Sequence, residues 1–126
     1  MRSFIIAMCI LLVLLAGLIF YHLILHDLSY KDAEDLGIVY NLIEEDRWQE
    51  SSDAFLSFQE EYQKKEGIMK VLVDHAELDS IESSLIATYE FINAQSKSDA
   101  LDATARSIFL IRHLEDKNRF NAENVL

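Results

Sequence analysis

One apolar run near the amino terminus constrains this chain more than any other feature. From Phe4 to Leu25 there are 22 residues without a single Asp, Glu, Lys or Arg. A helix rises about 1.5 Å per residue, so a helix of that length spans roughly 33 Å, enough to cross a bilayer core of about 30 Å. The run predicts a membrane-spanning helix, with residues 1–28 as an anchor and residues 29–126 as an acidic helical domain.

The apolar run is predicted to remain uncleaved. A signal peptidase site needs small residues two positions apart, whereas Leu14 and Leu15 stand two positions before Ala16 and Gly17. Cys9, the only cysteine, does not follow a small residue and lies too early for lipoprotein processing. A single cysteine also rules out an intramolecular disulfide.

The orientation of the anchor follows from the short segment that precedes it. Arg2 and the terminal amine lie on one side, and Lys31 is the only basic residue in the first stretch beyond Leu25. A very short tail ahead of a first anchor usually stays in the cytoplasm while the following chain is exported. We therefore expect a single-pass protein of the cell membrane with an extracytoplasmic carboxy-terminal domain.

The charge of the chain is strongly one-sided. Ten of the 11 Lys and Arg residues and all 22 Asp and Glu residues follow Leu25, which gives residues 26–126 a formal net charge of −12. A field of this sign repels nucleic acid and anionic headgroups. It indicates either a solvated surface that keeps the domain soluble or a surface for cations or a basic partner, and nucleic acid is not expected as a partner.

The scarcity of turn residues predicts an all-α fold. The sequence has no Pro and three Gly, too few for the tight turns of sandwiches and barrels. Apolar spacing favours helices over about 29–45, 48–73, 76–94 and 99–114. The expected architecture is an N-terminal transmembrane helix, which could continue into the first of these helices as one rod. An antiparallel helical bundle or stacked helical hairpins of about four helices would follow.

The second predicted helix carries a partial heptad, the pattern of a helix packed against a neighbour. Its two rows are Trp48, Phe55, Tyr62 and Met69, and Ser51, Phe58, Lys65 and Leu72. Gly67 lies off these rows and indicates a kink or an end of the helix. The apolar stripe predicted for the fourth helix is Leu101, Ala105, Ile108, Phe109 and Ile111.

Local chemistry suggests where the first and last segments begin and end. Ser29 is a candidate cap for the first soluble helix, with Asp32 in the capping-box position. Ser96 and Ser98 are capping candidates for the fourth helix. Val125 and Leu126 are the apolar end of a polar tail and could dock back onto the bundle.

The densest polar cluster gives a candidate metal site. On a helix, His75, Asp79 and Glu82 share a face at positions i, i+4 and i+7. An imidazole with two carboxylates is a sound ligand set for a divalent cation. The same residues also suit an exposed face or a helix N-terminus, where carboxylates favour the positive end of the helix dipole.

Four other residues are candidates for protein contacts. Trp48 follows an acidic turn and either faces a partner or packs beneath that turn. Ala16 and Gly17 form a small patch where a second membrane helix could approach. His22 lies near the outer end of the anchor. At that position it could form a hydrogen bond to another membrane helix, handle protons, or lie at the membrane interface.

Three phrases of the sequence resemble a known family. They are Ile43–Trp48 (IEEDRW), Val73–Glu82 (VDHAELDSIE) and Ile111–Glu115 (IRHLE), behind an N-terminal anchor. This layout resembles a bacterial domain family of unknown function, number 4363 in the domain-of-unknown-function series, found mainly in spore-forming Gram-positive bacteria. The resemblance implies a small single-pass helical protein associated with a polytopic membrane protein, and it supplies no catalytic residue.

Two hypotheses about function follow. The first is an interaction or accessory module whose helices dock onto a membrane partner or a second copy of the chain. The alternative is an extracytoplasmic domain that senses a ligand or a divalent cation. We do not expect an enzyme or a cofactor, because the sequence offers no nucleophile with a base, no tuned pair of acids and no glycine-rich phosphate loop.

Overall fold

The predicted all-α class is confirmed by a computed structural model. It describes the backbone of residues 1–125 and the side chains of residues 1–23, 30–114, 116 and 117. Within that part the chain forms four helices and no strand: α1 (Arg2–Glu44), α2 (Trp48–Leu72), α3 (His75–Asn93) and α4 (Lys97–Val125). The predicted docking of Val125 and Leu126 concerns side chains outside the described residues.

The predicted anchor and the first soluble helix form one continuous rod. α1 has 43 residues, so it is about 64 Å long. Its first part, Arg2–Leu23, is long and apolar enough to cross a membrane, and its side chains are exposed except for the half-buried Tyr21. No helix begins at Ser29, and the division at residues 28 and 29 falls within α1.

The four helices run alternately up and down. α1 and α3 each pack against both α2 and α4, so the helices follow one another around the bundle. The turn between α1 and α2 and the turn between α3 and α4 each contain one residue in the left-handed region. These residues are Asp46, at φ 60°, and Gln95, at φ 52°. The amides of Asp46 and Arg47 donate to the carbonyls of Ile43 and Leu42, which satisfies the end of α1 without a glycine.

The heptad rows of α2 face the core, as predicted. Phe55, Phe58, Tyr62 and Met69 are buried, and Ser51 is buried beside them. The Phe55 ring stacks on Tyr89 of α3 with centroids 5.6 Å apart, and lies 5.9 Å from the ring of Phe58. This aromatic cluster joins α2 to α3 at the centre of the bundle.

The predicted stripe of α4 is partly wrong. Phe109 is 66% exposed and Ala105 is exposed, whereas the buried side of α4 consists of small and branched side chains: Ala100, Ala103, Thr104, Ser107, Ile111 and Leu114. α3 and α4 lie close enough for the Ser84 and Ser107 hydroxyls to bond at 2.7 Å. Two helices can approach this closely only where their facing side chains are small. The more apolar stripe predicted for α4, which contains Phe109, therefore does not face the core.

Gly67 does not end α2, which continues to Leu72. A methyl group added at its Cα would meet no atom within 4 Å. A Gly67→Ala substitution should therefore raise the free energy of unfolding by about 0.5–1 kcal/mol, the difference in helix propensity. Urea unfolding of the full chain in mild detergent, followed by Trp48 fluorescence, would measure it. A destabilised variant would contradict an undistorted helix at this position.

Candidate functional site

An open groove lies between α3 and α4. Its volume is about 760 Å³. Half-buried Phe91 and Leu110 supply apolar walls, and Ala87 and Ala103 contribute small side chains between them. The small residues that allow α3 and α4 to approach also keep this groove unfilled.

The rim of the groove is polar and mainly acidic. It carries the carboxylates of Asp79, Asp99 and Asp102 and one guanidinium, that of Arg106. Arg106 lies 3.5 Å from Asp102, and Asp99 accepts a hydrogen bond from the Ser96 hydroxyl at 2.7 Å. The groove thus combines the apolar walls of Phe91 and Leu110 with a net negative rim, which suits an apolar segment flanked by basic side chains.

A charged pair that sequence reasoning missed links α1 to α2. The Asp32 carboxylate is 2% exposed and lies 3.3 Å from the Lys65 ammonium, whose side chain is 18% exposed. Burial raises the pKa of Asp32, and the charge of Lys65 offsets part of that effect. Asp32 was predicted as a capping residue, but its spacing from Leu36 and Val39 places it on the inward face of α1.

Tyr62 lies in the same charged surroundings. Burial raises the pKa of its phenol, and the carboxylates of Glu82, Asp32 and Glu66 add to the effect. Glu66 is held in turn by Lys70, at 2.8 Å, which lowers the pKa of Glu66. Opposite charges on inward positions of two predicted helices were the signal in the sequence that could have revealed this cluster.

The candidate metal ligands are not gathered into one group. Among the residues with described side chains, no set of three or more His, Cys, Asp or Glu could hold a metal ion. His75 is exposed at the start of α3, Asp79 lines the groove toward α4, and Glu82 lies on the side of Tyr62 in α2. The divalent-cation site remains a prediction from spacing.

Trp48 begins α2 at the end of the bundle farthest from the apolar run. Its side chain is half-buried and packs against the core. At the same end, the Lys97 ammonium donates to the Glu44 carbonyl at 2.9 Å and lies 3.1 Å from the Asp46 carboxylate. These contacts tie the α1–α2 turn to the start of α4, and they leave part of the indole on the surface.

The three candidate contact residues in the anchor do not share a face. Ala16, Gly17 and His22 are all exposed, and a side chain at Gly17 would meet nothing within 4 Å. At about 100° per residue, His22 lies roughly 140° around α1 from Gly17. One partner helix therefore cannot contact the Ala16–Gly17 patch and His22 together.

These features define a class: a small helical bundle continuous with a candidate membrane-spanning helix. The particular family is shown by sequence. The chain matches the domain of unknown function DUF4363 over residues 19–125, and it belongs to that family. The match begins inside the apolar run and covers the whole bundle, as the resemblance of the sequence phrases implied.

No curated protein and no solved structure matches the chain.

Proposed function

We propose that this protein is a membrane-anchored, non-enzymatic interaction module whose α3–α4 groove receives a segment of a membrane partner. The groove is the observation that carries the proposal. It is open, has apolar walls, and bears three carboxylates against one guanidinium on its rim. An amphipathic helix with basic flanking residues complements those features, and helix-in-groove binding is a recurrent mode of recognition.

The anchor supports the choice of partner. α1 passes from the apolar span into the bundle without a break, so the groove stays within a short distance of the bilayer. A partner in the same membrane meets the groove at a high effective concentration. The orientation with the bundle outside the cytoplasm belongs to this proposal and is supported by Arg2 on the other side of the apolar run. A second copy of the chain is the alternative occupant.

Ala87→Trp tests the groove directly. An indole at this half-buried groove position would occupy the space that the partner needs, so full-length protein purified from its own membranes should lose the copurifying partner. Ile86→Trp is the matched control, because Ile86 is the preceding residue, is exposed and does not line the groove.

The readout is the amount of partner recovered in mild detergent, measured by mass spectrometry. Recovery should fall with Ala87→Trp and persist with Ile86→Trp. Equal recovery with both variants, or no partner with the unaltered protein, would contradict docking in the groove. Photo-crosslinking from Ser83 in the groove should give an adduct, while the same crosslinker at Leu56, an exposed residue of α2 that does not line the groove, should not.

A further inference from the structure

We propose that the end of α2, residues 68–73, lies in the lipid headgroup layer and forms a second contact with the membrane beside α1. This inference rests on the membrane-spanning role proposed for α1. Its ligand class is a phospholipid surface, bound through apolar side chains at the boundary between headgroups and acyl chains.

A hydrogen bond sets the height of this segment. The Tyr21 hydroxyl donates to the Leu72 carbonyl at 3.2 Å. Tyr21 belongs to the candidate span Arg2–Leu23 and lies two residues before its end. Helical side chains lean toward the N-terminus, so the hydroxyl lies deeper in the membrane than the backbone of Tyr21. The end of α2 is therefore level with the outer boundary of the span.

The side chains at this level are unusually apolar and exposed. Val71 is 83% exposed and Ile68 is 51% exposed. Single exposed apolar residues are ordinary on soluble surfaces. These two differ because they lie where the bilayer surface must pass. Ile68 is four residues from Leu72, about 6 Å along the helix, and each interfacial layer of a bilayer is about 5–7 Å thick.

The described lysine side chains near residues 68–73 are paired with carboxylates, so apolar contact is the main attraction between this segment and the lipid surface. Lys70 pairs with Glu66 at 2.8 Å, and Lys117 pairs with Glu77. Asp74 accepts from the amide of Ala76 as the cap of α3. Around the end of α2, these described cations already have carboxylate partners. We therefore expect binding to zwitterionic phosphatidylcholine, which has no net charge, without a requirement for anionic lipid.

A second contact would restrict how the bundle tilts. A bundle attached to the membrane only through α1 can tilt in any direction about the end of the membrane span. A second contact at the end of α2 would oppose that tilt. The α3–α4 groove, on the side of the bundle away from α1 and α2, would then face neighbours in the membrane plane.

Depth-dependent quenching tests the contact. The native indole is removed with Trp48→Phe, and single indoles are placed by Val71→Trp, Leu56→Trp or Leu12→Trp in the full chain. Leu56 is the matched control, an exposed residue of the same helix that lies about 24 Å from Leu72 along the helix axis. Leu12 lies within the span and reports insertion of α1. The proteins are placed in phosphatidylcholine nanodiscs that carry nitroxide-labelled lipid.

The expected result has three parts. Leu12→Trp is quenched most by labels deep in the acyl chains, Val71→Trp loses most of its emission to labels near the headgroup, and Leu56→Trp keeps its emission. A Val71→Trp protein as bright as Leu56→Trp, with Leu12→Trp quenched, would overturn this inference and leave the anchor intact. An unquenched Leu12→Trp protein would overturn the anchor and the inference together. Ile68→Trp repeats the test should Val71→Trp lose helical content by circular dichroism.

Discussion

Lys65→Met should be among the most destabilising single substitutions in the bundle, lowering the free energy of unfolding by about 3–5 kcal/mol. The reason is the partner left behind. Asp32 is 2% exposed and its carboxylate lies 3.3 Å from the Lys65 ammonium. Methionine keeps the aliphatic volume but leaves a buried carboxylate without its cation. Urea unfolding of the full chain in mild detergent, followed by Trp48 emission, would measure the loss.

The loss should depend on pH in a defined direction. Burial already raises the pKa of Asp32 above its ordinary value of 3.8, and removal of Lys65 would raise it further. The native state then holds a proton that the unfolded chain releases. Stability therefore falls as pH increases from that ordinary value, which applies to the unfolded chain, through the folded pKa. Lys65→Met should be closer to the unaltered protein at pH 4 than at pH 7.

Two further variants distinguish the effect of losing the charge pair from the effect of changing side-chain volume. Asp32→Asn should cost less than Lys65→Met, because the Lys65 side chain is 18% exposed and its ammonium can reach water. The double variant Asp32→Leu with Lys65→Met should recover most of the loss, since a buried ion pair is often replaced by apolar residues without cost. Equal losses for both single variants at every pH would contradict an asymmetric, buried pair.

Phe55→Ala should reduce stability by a similar amount, about 3–5 kcal/mol. The Phe55 side chain is fully buried, and its ring stacks on Tyr89 and contacts Phe58. Its removal would leave a cavity between α2 and α3. Domains of this size are stable by only about 5–15 kcal/mol, so the variant loses a large part of the total.

Leu56→Ala is the control for that substitution. Leu56 is the next residue of α2 but is 43% exposed, so its truncation should cost about 1 kcal/mol or less. Both variants would be unfolded with urea in the same detergent and followed by Trp48 fluorescence. A Phe55→Ala protein as stable as Leu56→Ala would show that the aromatic cluster does not hold α2 to α3.

Much of the candidate site was beyond sequence reasoning for a physical reason. Asp32 and Lys65 were each visible on or beside an inward row, yet their pairing depends on the register between α1 and α2. The groove depends on how closely α3 and α4 approach, which the Ser84–Ser107 hydrogen bond reports. Likewise, the bond between Tyr21 and Leu72 joins residues 51 positions apart. Periodicity describes one helix at a time and contains no information on such distances.

By itself, the sequence determined the class of this protein. An uncharged apolar run, the absence of Pro and the seven-residue spacing of aromatic residues in α2 were enough to predict a candidate membrane helix and an all-α domain, because these patterns act within single helices. Only the tertiary structure decided which face of α4 turns inward. The inward face of α4 carries Ala, Ser and Thr, and not the apolar stripe that contains Phe109. Small hydroxyl and methyl groups let the backbones of α3 and α4 approach closely, whereas an aromatic ring would hold them apart.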